Sequence, residues 1–204
     1  FFILKIEIMS IKILMILFYP LLVISTFLIG LTTSLFAMYS IYLIFFKKKI
    51  QLIKNNKIII GLIIFWSYII IRSFFAEDVS LSLEASLFYG RFIFFAIGLS
   101  YLLNKKEDRF YYFSLSLILV FFILSIDSLI QFLIGYNLIG IKQFHAARVS
   151  SFFGDELILG SFISRLFPIL LLCILFSIKK TSTKSYLLYY FIFISPIIIY
   201  ISGE

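Results

Sequence analysis

Residues 13–46 run without a single charged side chain. At about 1.5 Å of rise per residue, that run is too long for one helix across a hydrocarbon layer about 30 Å thick, so it must turn back on itself. The natural break falls around Gly30, Thr32 and Thr33, which predicts a helical hairpin whose second member covers residues 31–46. Five more apolar runs, at 58–75, 86–103, 110–135, 160–178 and 185–202, predict further spans and bring the total to seven. Too little polar sequence separates these runs to coat a water-soluble core. The chain is 63% hydrophobic with a mean hydropathy of +1.14, whereas a soluble domain is usually about 45–50% apolar. The expected fold class is therefore all-α: a polytopic transmembrane helical bundle of about seven spans, forming a single transmembrane domain over residues 1–204.

Charge orders these spans. The net charge of +8 does not mark a nucleic-acid partner, because the basic residues sit in short clusters between apolar runs and not along one polar face. With the N-terminus in the cytoplasm, the inner segments hold Lys5, Lys12, Lys47, Lys48, Lys49, Lys54, Lys57, Lys105, Lys106, Arg109, Lys179, Lys180 and Lys184. The outer segments and outer span ends hold only Arg72, Arg91, Lys142, Arg148 and Arg165. The excess falls on one side at every turn, as the positive-inside rule requires. This places the longest connection, 136–159, outside. Four of the five arginines fall on that outer side, where a planar guanidinium suits bidentate binding of phosphate or carboxylate.

The chain opens on Phe1 and closes on Glu204 just after an apolar run, which reads as a piece of a longer gene product. The run after Lys12 does not read as a signal peptide: it is long, is followed at once by another and lacks a small-residue cleavage site. Repeats, heptads and low-complexity tracts are absent from the sequence. His145 and Cys173 are the only residues of their types, so no thiolate or histidine metal cluster and no intrachain disulfide can be assembled from them. Walker loops, dinucleotide fingerprints and nucleophile elbows are missing too, and no cofactor or metal is expected.

The polar residues worth weighing lie in and beside ARVSSFFGDELILGSFISRLFP, which begins at Ala147. Each ion costs about 2.5–3.5 kcal/mol at the centre of a bilayer, so charge kept near a span is a candidate for function. Asp127 and Gln131 stack on one face of the fifth predicted span, four residues apart. They are read either as a polar lining of a substrate cavity or as an interhelical anchor, with Asp127 paired to Gln131 or to an arginine such as Arg91 or Arg165. Arg91, at the start of the fourth span, either faces a phosphate, snorkels toward the interface or pairs with Glu84 and Asp127. Arg165 lies deeper in the sixth span and is expected to face a cavity. Arg148 is read as an anion ligand or as a salt-bridge partner of Asp155 or Glu156. Asp155 and Glu156 follow Gly154 and are expected at the N-terminus of the sixth helix, where negative charge is favoured. His145 is a general base by chemistry alone, but no partner for it is visible in the sequence.

Three stretches carry a family resemblance: SLFYGRFIFF from Ser86, IDSLIQFLIGYNLIG from Ile126, and RVSSFFGDELILGSFISRLFPILL from Arg148. Their order and spacing resemble the O-antigen ligase and O-antigen polymerase family of bacterial inner-membrane glycosyltransferases, and the terminal ISGE resembles the start of a further family segment. The resemblance covers most of the chain from about residue 15. It implies a GT-C-like helical fold and metal-independent transfer of a glycan from an undecaprenyl-pyrophosphate carrier to a sugar hydroxyl. That hydroxyl belongs to lipid A core or to another glycan repeat, and transfer takes place on the periplasmic face. Membrane lipids are the surroundings, and nucleic acid is not a partner. By this resemblance Arg148 takes the pyrophosphate-binding position; Arg91, inside a matching stretch, and Arg165, from its expected burial, are added to it. Family members of the ligase type carry a functional histidine in a larger periplasmic loop further along, a role not transferred to His145, so this stretch alone is expected to lack a full active site. A pyrophosphate leaving group gains negative charge that arginines stabilise. Competing classes are a polytopic transporter or lipid-linked glycan flippase, whose buried charges would line a path near the midplane, and a structural membrane subunit. The absence of an inverted repeat and the gathering of charge toward one face weigh against the transporter.

Overall fold

Backbone polar groups in lipid must find partners within their own segment, and a chain of apolar runs meets that demand as helices. The computed structural model describes residues 2–24, 26–48, 51–54, 56–104, 107–143 and 148–203, with side chains from Lys12 onward except those of Thr26, Phe27, Leu52 and Glu107. Lys49, Lys105, Lys106, His145 and Glu204 lie outside the described residues. In order along the chain come α1 (Phe2–Ile24), α2 (Thr26–Phe45), the single turn α3 (Gln51–Lys54), α4 (Lys57–Ser73), α5 (Val79–Asn104), α6 (Glu107–Ile134), α7 (Leu159–Ser177) and α8 (Thr181–Ser202). A 3₁₀ turn at Ser151–Phe153 interrupts the connection between α6 and α7. Among the described residues, five helical segments are long and apolar enough to cross a membrane: Leu28–Phe45, Val79–Asn104, Asp108–Ile134, Leu159–Ser177 and Thr181–Ser202. The chain is thus a helical membrane protein. Helix α4, at 17 residues, and the apolar Lys12–Ile24 part of α1 are shorter; 17 residues rise only about 26 Å.

The helices follow the expected spans in order, five of them long and apolar enough to cross a membrane where seven spans were expected, and two boundaries differ. Helix α1 ends at Ile24, earlier than the expected break, and α2 begins at Thr26 and passes straight through Gly30, Thr32 and Thr33. The hydroxyls of Thr32, Thr33 and Ser34 donate to carbonyls three or four residues back at 2.7–3.0 Å. Their polarity is absorbed inside the helix, so it gives no reason to break it. Helix α5 begins at Val79 and not near Ser86, because the Asp78 carboxylate accepts the N–H of Leu81 at 3.0 Å and closes the first turn. Arg91, expected at the start of this span, therefore sits midway along it.

The chain divides into two units, one of Phe1–Thr26 with Asp108–Glu204 and the other of Phe27–Glu107. In the second unit α4 packs on α5, and Ile44, Ile59, Ile93 and Ile97 form its buried core. Two glycines of α5 set how closely its neighbours approach. A Cβ on Gly90 would lie 2.4 Å from the Trp66 ring, which donates to the Ser86 carbonyl at 2.8 Å, and one on Gly98 would lie 2.6 Å from the Phe36 carbonyl oxygen of α2.

In the first unit α1 meets α6 through Phe18, Tyr19 and Phe113, whose ring centroids lie 4.9–5.3 Å apart. Pro20 inside α1 has no N–H to give the Ile16 carbonyl. The Ser116 hydroxyl of α6 supplies that hydrogen bond instead, at 2.6 Å. Helix α6 meets α8 through Phe121 and Phe191, and α7 packs on α8. Buried Leu117, Leu124, Ile163, Leu170, Ile174 and Ile198 fill this unit.

Candidate functional site

Helix α6 stops where its sequence changes from FLI to GYNLIG. Gly135 and Gly140 both take φ of 88°, a left-handed backbone that glycine adopts without a Cβ penalty. Between them the chain folds back, with Tyr136 bridged to Lys142. Asn137 staples this turn: its Oδ1 accepts the N–H groups of Ile139 at 3.1 Å and Ile141 at 2.7 Å. An asparagine carbonyl in this position stands in for a backbone acceptor, as in an Asx turn.

Asp127 and Gln131, one helical turn apart on α6, are fully buried beneath that turn and the segment that follows. Asp127 Oδ1 accepts the Leu138 N–H at 2.7 Å, and Oδ2 accepts the Ser151 hydroxyl at 2.5 Å. Gln131 Oε1 accepts the N–H groups of Ser150 at 3.0 Å and Ser151 at 2.6 Å, while its Nε2 donates to the Ile141 carbonyl at 3.4 Å. The partners of Asp127 are thus a backbone amide and a serine, with no arginine among them; Gln131 shares its Ser151 contact but does not bond it directly. The reason is local: α6 ends a little beyond these residues, so the nearest unsatisfied donors belong to the returning loop.

Everything converges on Ser151. It is fully buried and has φ of 53°, a left-handed conformation that costs a non-glycine residue about 1–2 kcal/mol. Its N–H goes to Gln131, its hydroxyl to Asp127, and its carbonyl accepts Asn137 Nδ2 at 3.0 Å. Three side chains from two segments satisfy every polar group of one residue. An unfavourable backbone survives where its surroundings over-determine it, and such places often mark function.

Arg148 stands three residues upstream and is partly buried. Its Nη2 donates to the Gly203 carbonyl at 2.5 Å, and the next residue, Val149, donates its N–H to the Ile201 carbonyl at 3.1 Å. The guanidinium therefore caps the C-terminus of α8, where the helix dipole favours a cation. Gly203 has φ of 74°, and a Cβ there would lie 2.6 Å from Arg148 Nε and 2.9 Å from its Cγ. Only a glycine lets the arginine stem lie flat across the helix end. Among the described residues this contact engages one of the five N–H donors of the guanidinium. No ion pair joins Arg148 to Asp155 or Glu156 among the described residues. Both acids are exposed in the turn before α7, whose N-cap is Ile158 without a side-chain hydrogen bond, so neither caps that helix.

The structure places the other two arginines at exposed positions. Arg165 is exposed on α7 and is not turned into a buried cavity. Arg91, which belongs to the other unit, is exposed with its guanidinium 4.9 Å from the Phe92 ring centroid, a cation–π contact. Asn137, Ser150 and Ser151 were not singled out in the sequence. The signal available for Asn137 was its position between two glycines in GYNLIG, a turn context in which an asparagine side chain bonds the backbone. The left-handed serine left no trace in composition. Comparison with protein-family models, with curated proteins and with solved structures finds no match.

Proposed function

We propose that this protein is a membrane glycosyltransferase of the O-antigen ligase and polymerase kind. It transfers a glycan from undecaprenyl pyrophosphate to a sugar hydroxyl, on lipid A core or on another glycan repeat. It lies in the bacterial inner membrane with a cytoplasmic N-terminus, seven spans and the 136–159 connection in the periplasm. The observation that carries this reading is the joining of two resembling stretches. IDSLIQFLIGYNLIG and RVSSFFGDELILG are held to each other by Asp127, Gln131, Asn137 and Ser151, and the second presents Arg148. Arg148 is the pyrophosphate ligand in this reading, using guanidinium donors other than the one bonded to Gly203. As the glycan departs, charge grows on the leaving pyrophosphate, and a fixed guanidinium stabilises it without reorganising. Arg165, in the same unit as Arg148, belongs to the proposal as a further ligand of the lipid-linked phosphates, and Arg91, in the other unit, is proposed by itself as a phosphate ligand.

The test is glycan transfer by the full-length protein in lipid vesicles supplied with undecaprenyl-pyrophosphate-linked donor and acceptor. Arg148→Ala is expected to cut transfer about 10²–10³-fold, the effect of removing one oxyanion donor, and to insert normally. Arg148→Lys keeps part of the activity, since a point charge replaces the fork incompletely. Normal turnover in Arg148→Ala would leave Arg148 only its capping role. Movement of the intact carrier between leaflets without transfer would establish the flippase class instead.

A further inference from the structure

We infer that Asn137 and Ser151 are positioning residues for Arg148, an inference that rests on the proposed role of Arg148 as a pyrophosphate ligand. A flexible arginine on a loop spends most of its time away from any one phosphate, and ordering it on binding costs affinity. Here the four residues 148–151 are each tied down before any ligand arrives. Arg148 is bonded to Gly203, Val149 to Ile201, Ser150 to Gln131, and Ser151 to Gln131, Asp127 and Asn137. The ties reach two separate supports, the C-terminus of α8 and the α6 end with its turn. Val149 and Ser150 between them are buried as well, at 0% and 1% exposure, so the stretch has no slack through which Arg148 can drift.

Asn137 is the member whose two functions separate cleanly. Its Oδ1 holds the 135–143 turn, and its Nδ2 reaches across to the Ser151 carbonyl. Asn137→Asp keeps the acceptor that holds the turn. It replaces the donor with an oxygen facing the Ser151 carbonyl, so the cross-tie alone becomes repulsive. Ser151→Gly keeps the left-handed backbone and both backbone ties while deleting only the bond to Asp127. Neither change touches Arg148, and Ser151→Gly leaves the charge unaltered, so a loss of binding shared by both variants passes through position.

The experiment is a double-mutant cycle on binding of undecaprenyl pyrophosphate to the protein in lipid nanodiscs. Asn137→Asp and Ser151→Gly are each expected to weaken binding about tenfold in the wild-type background and to have no further effect in the Arg148→Ala background, the mark of residues acting through one another. Hydrogen exchange at the amides of Val149, Ser150 and Ser151 is expected to quicken in both variants, while exchange within α7 and α8 stays unchanged. This reports on a variant that folds but holds the segment loosely. Binding lost in Arg148→Ala but unchanged in both variants overturns the inference alone. Equal losses in the two backgrounds also overturn it, since the effect then does not run through Arg148. Wild-type protein that does not bind the probe, or Arg148→Ala that binds it normally, overturns the reading of function and this inference with it.

Discussion

At the scale of single residues, the described part of this chain shows proton donors and acceptors paired across elements where the backbone falls short. Pro20 is the plainest case. A proline inside a membrane helix orphans the carbonyl four residues back, and in lipid no water is present to take its place. Ser116 supplies the missing donor from α6. The pair predicts an asymmetric cycle in unfolding equilibria measured in detergent or bicelles. Ser116→Ala should cost about 0.6–1.7 kcal/mol, the range of interhelical hydrogen bonds in membranes. In a Pro20→Ala background, where the substituted residue gives its own N–H back to the Ile16 carbonyl, the same change should cost almost nothing. Equal costs in both backgrounds would show that Ser116 does not serve the proline. Asp127 follows the same logic at the other end of α6, where a buried carboxylate takes two donors that a returning loop brings to it.

Helices are the next scale, and small residues decide how close they come. Gly98 on α5 meets the backbone of α2, whereas Gly90 on the same helix meets the Trp66 side chain of α4. Backbone cannot step aside as a rotamer can. Gly98→Ala should therefore force α2 and α5 apart and destabilise by about 1–3 kcal/mol, the usual cost of overpacking. A thermal melt of the purified protein checks this, with Gly61→Ala as the control, since a Cβ at Gly61 meets nothing within 4 Å. A Gly98→Ala protein as stable as that control would mean the α2–α5 approach is looser than the geometry shows. Helix ends obey equally local rules: α4 starts where Asn56 accepts the N–H groups of Ile58 and Ile59, and α8 ends where Gly203 turns left-handed. The boundary at Asp78 follows suit. It was missed because an N-cap in a polar stretch ahead of an apolar run lengthens a helix beyond its hydrophobic part.

For the whole molecule, the proposed orientation rests on thirteen basic residues assigned to inner segments against five assigned to outer ones. That asymmetry predicts the connection carrying Lys142 to be periplasmic and the Lys47–Lys57 region cytoplasmic. In a Cys173→Ala background, Lys142→Cys should react with a membrane-impermeant thiol reagent in cells whose inner membrane is intact. Lys54→Cys should react only after that membrane is breached. The reverse pattern would invert the topology and remove Arg148 from the periplasmic face.

What the chain's order of residues settled was the class and the rhythm: apolar runs of spanning length separated by short basic clusters leave helices in lipid as the outcome, because a helix satisfies its backbone polar groups within its own segment. It also placed Asp127 and Gln131 on one face of one helix, since that follows from 3.6 residues per turn. Their partners were another matter. The sequence offered arginines to a buried acid, on the general ground that charge seeks charge. Tertiary folding brought the Leu138 amide and the Ser151 hydroxyl within 2.7 Å instead. Whether Arg148 would face Asp155, Glu156 or a helix end likewise depended on where α8 terminates, far along the chain from Arg148 itself. A hydrogen bond acts over about 3 Å, and which groups come that close across such separations is fixed only when the helices pack.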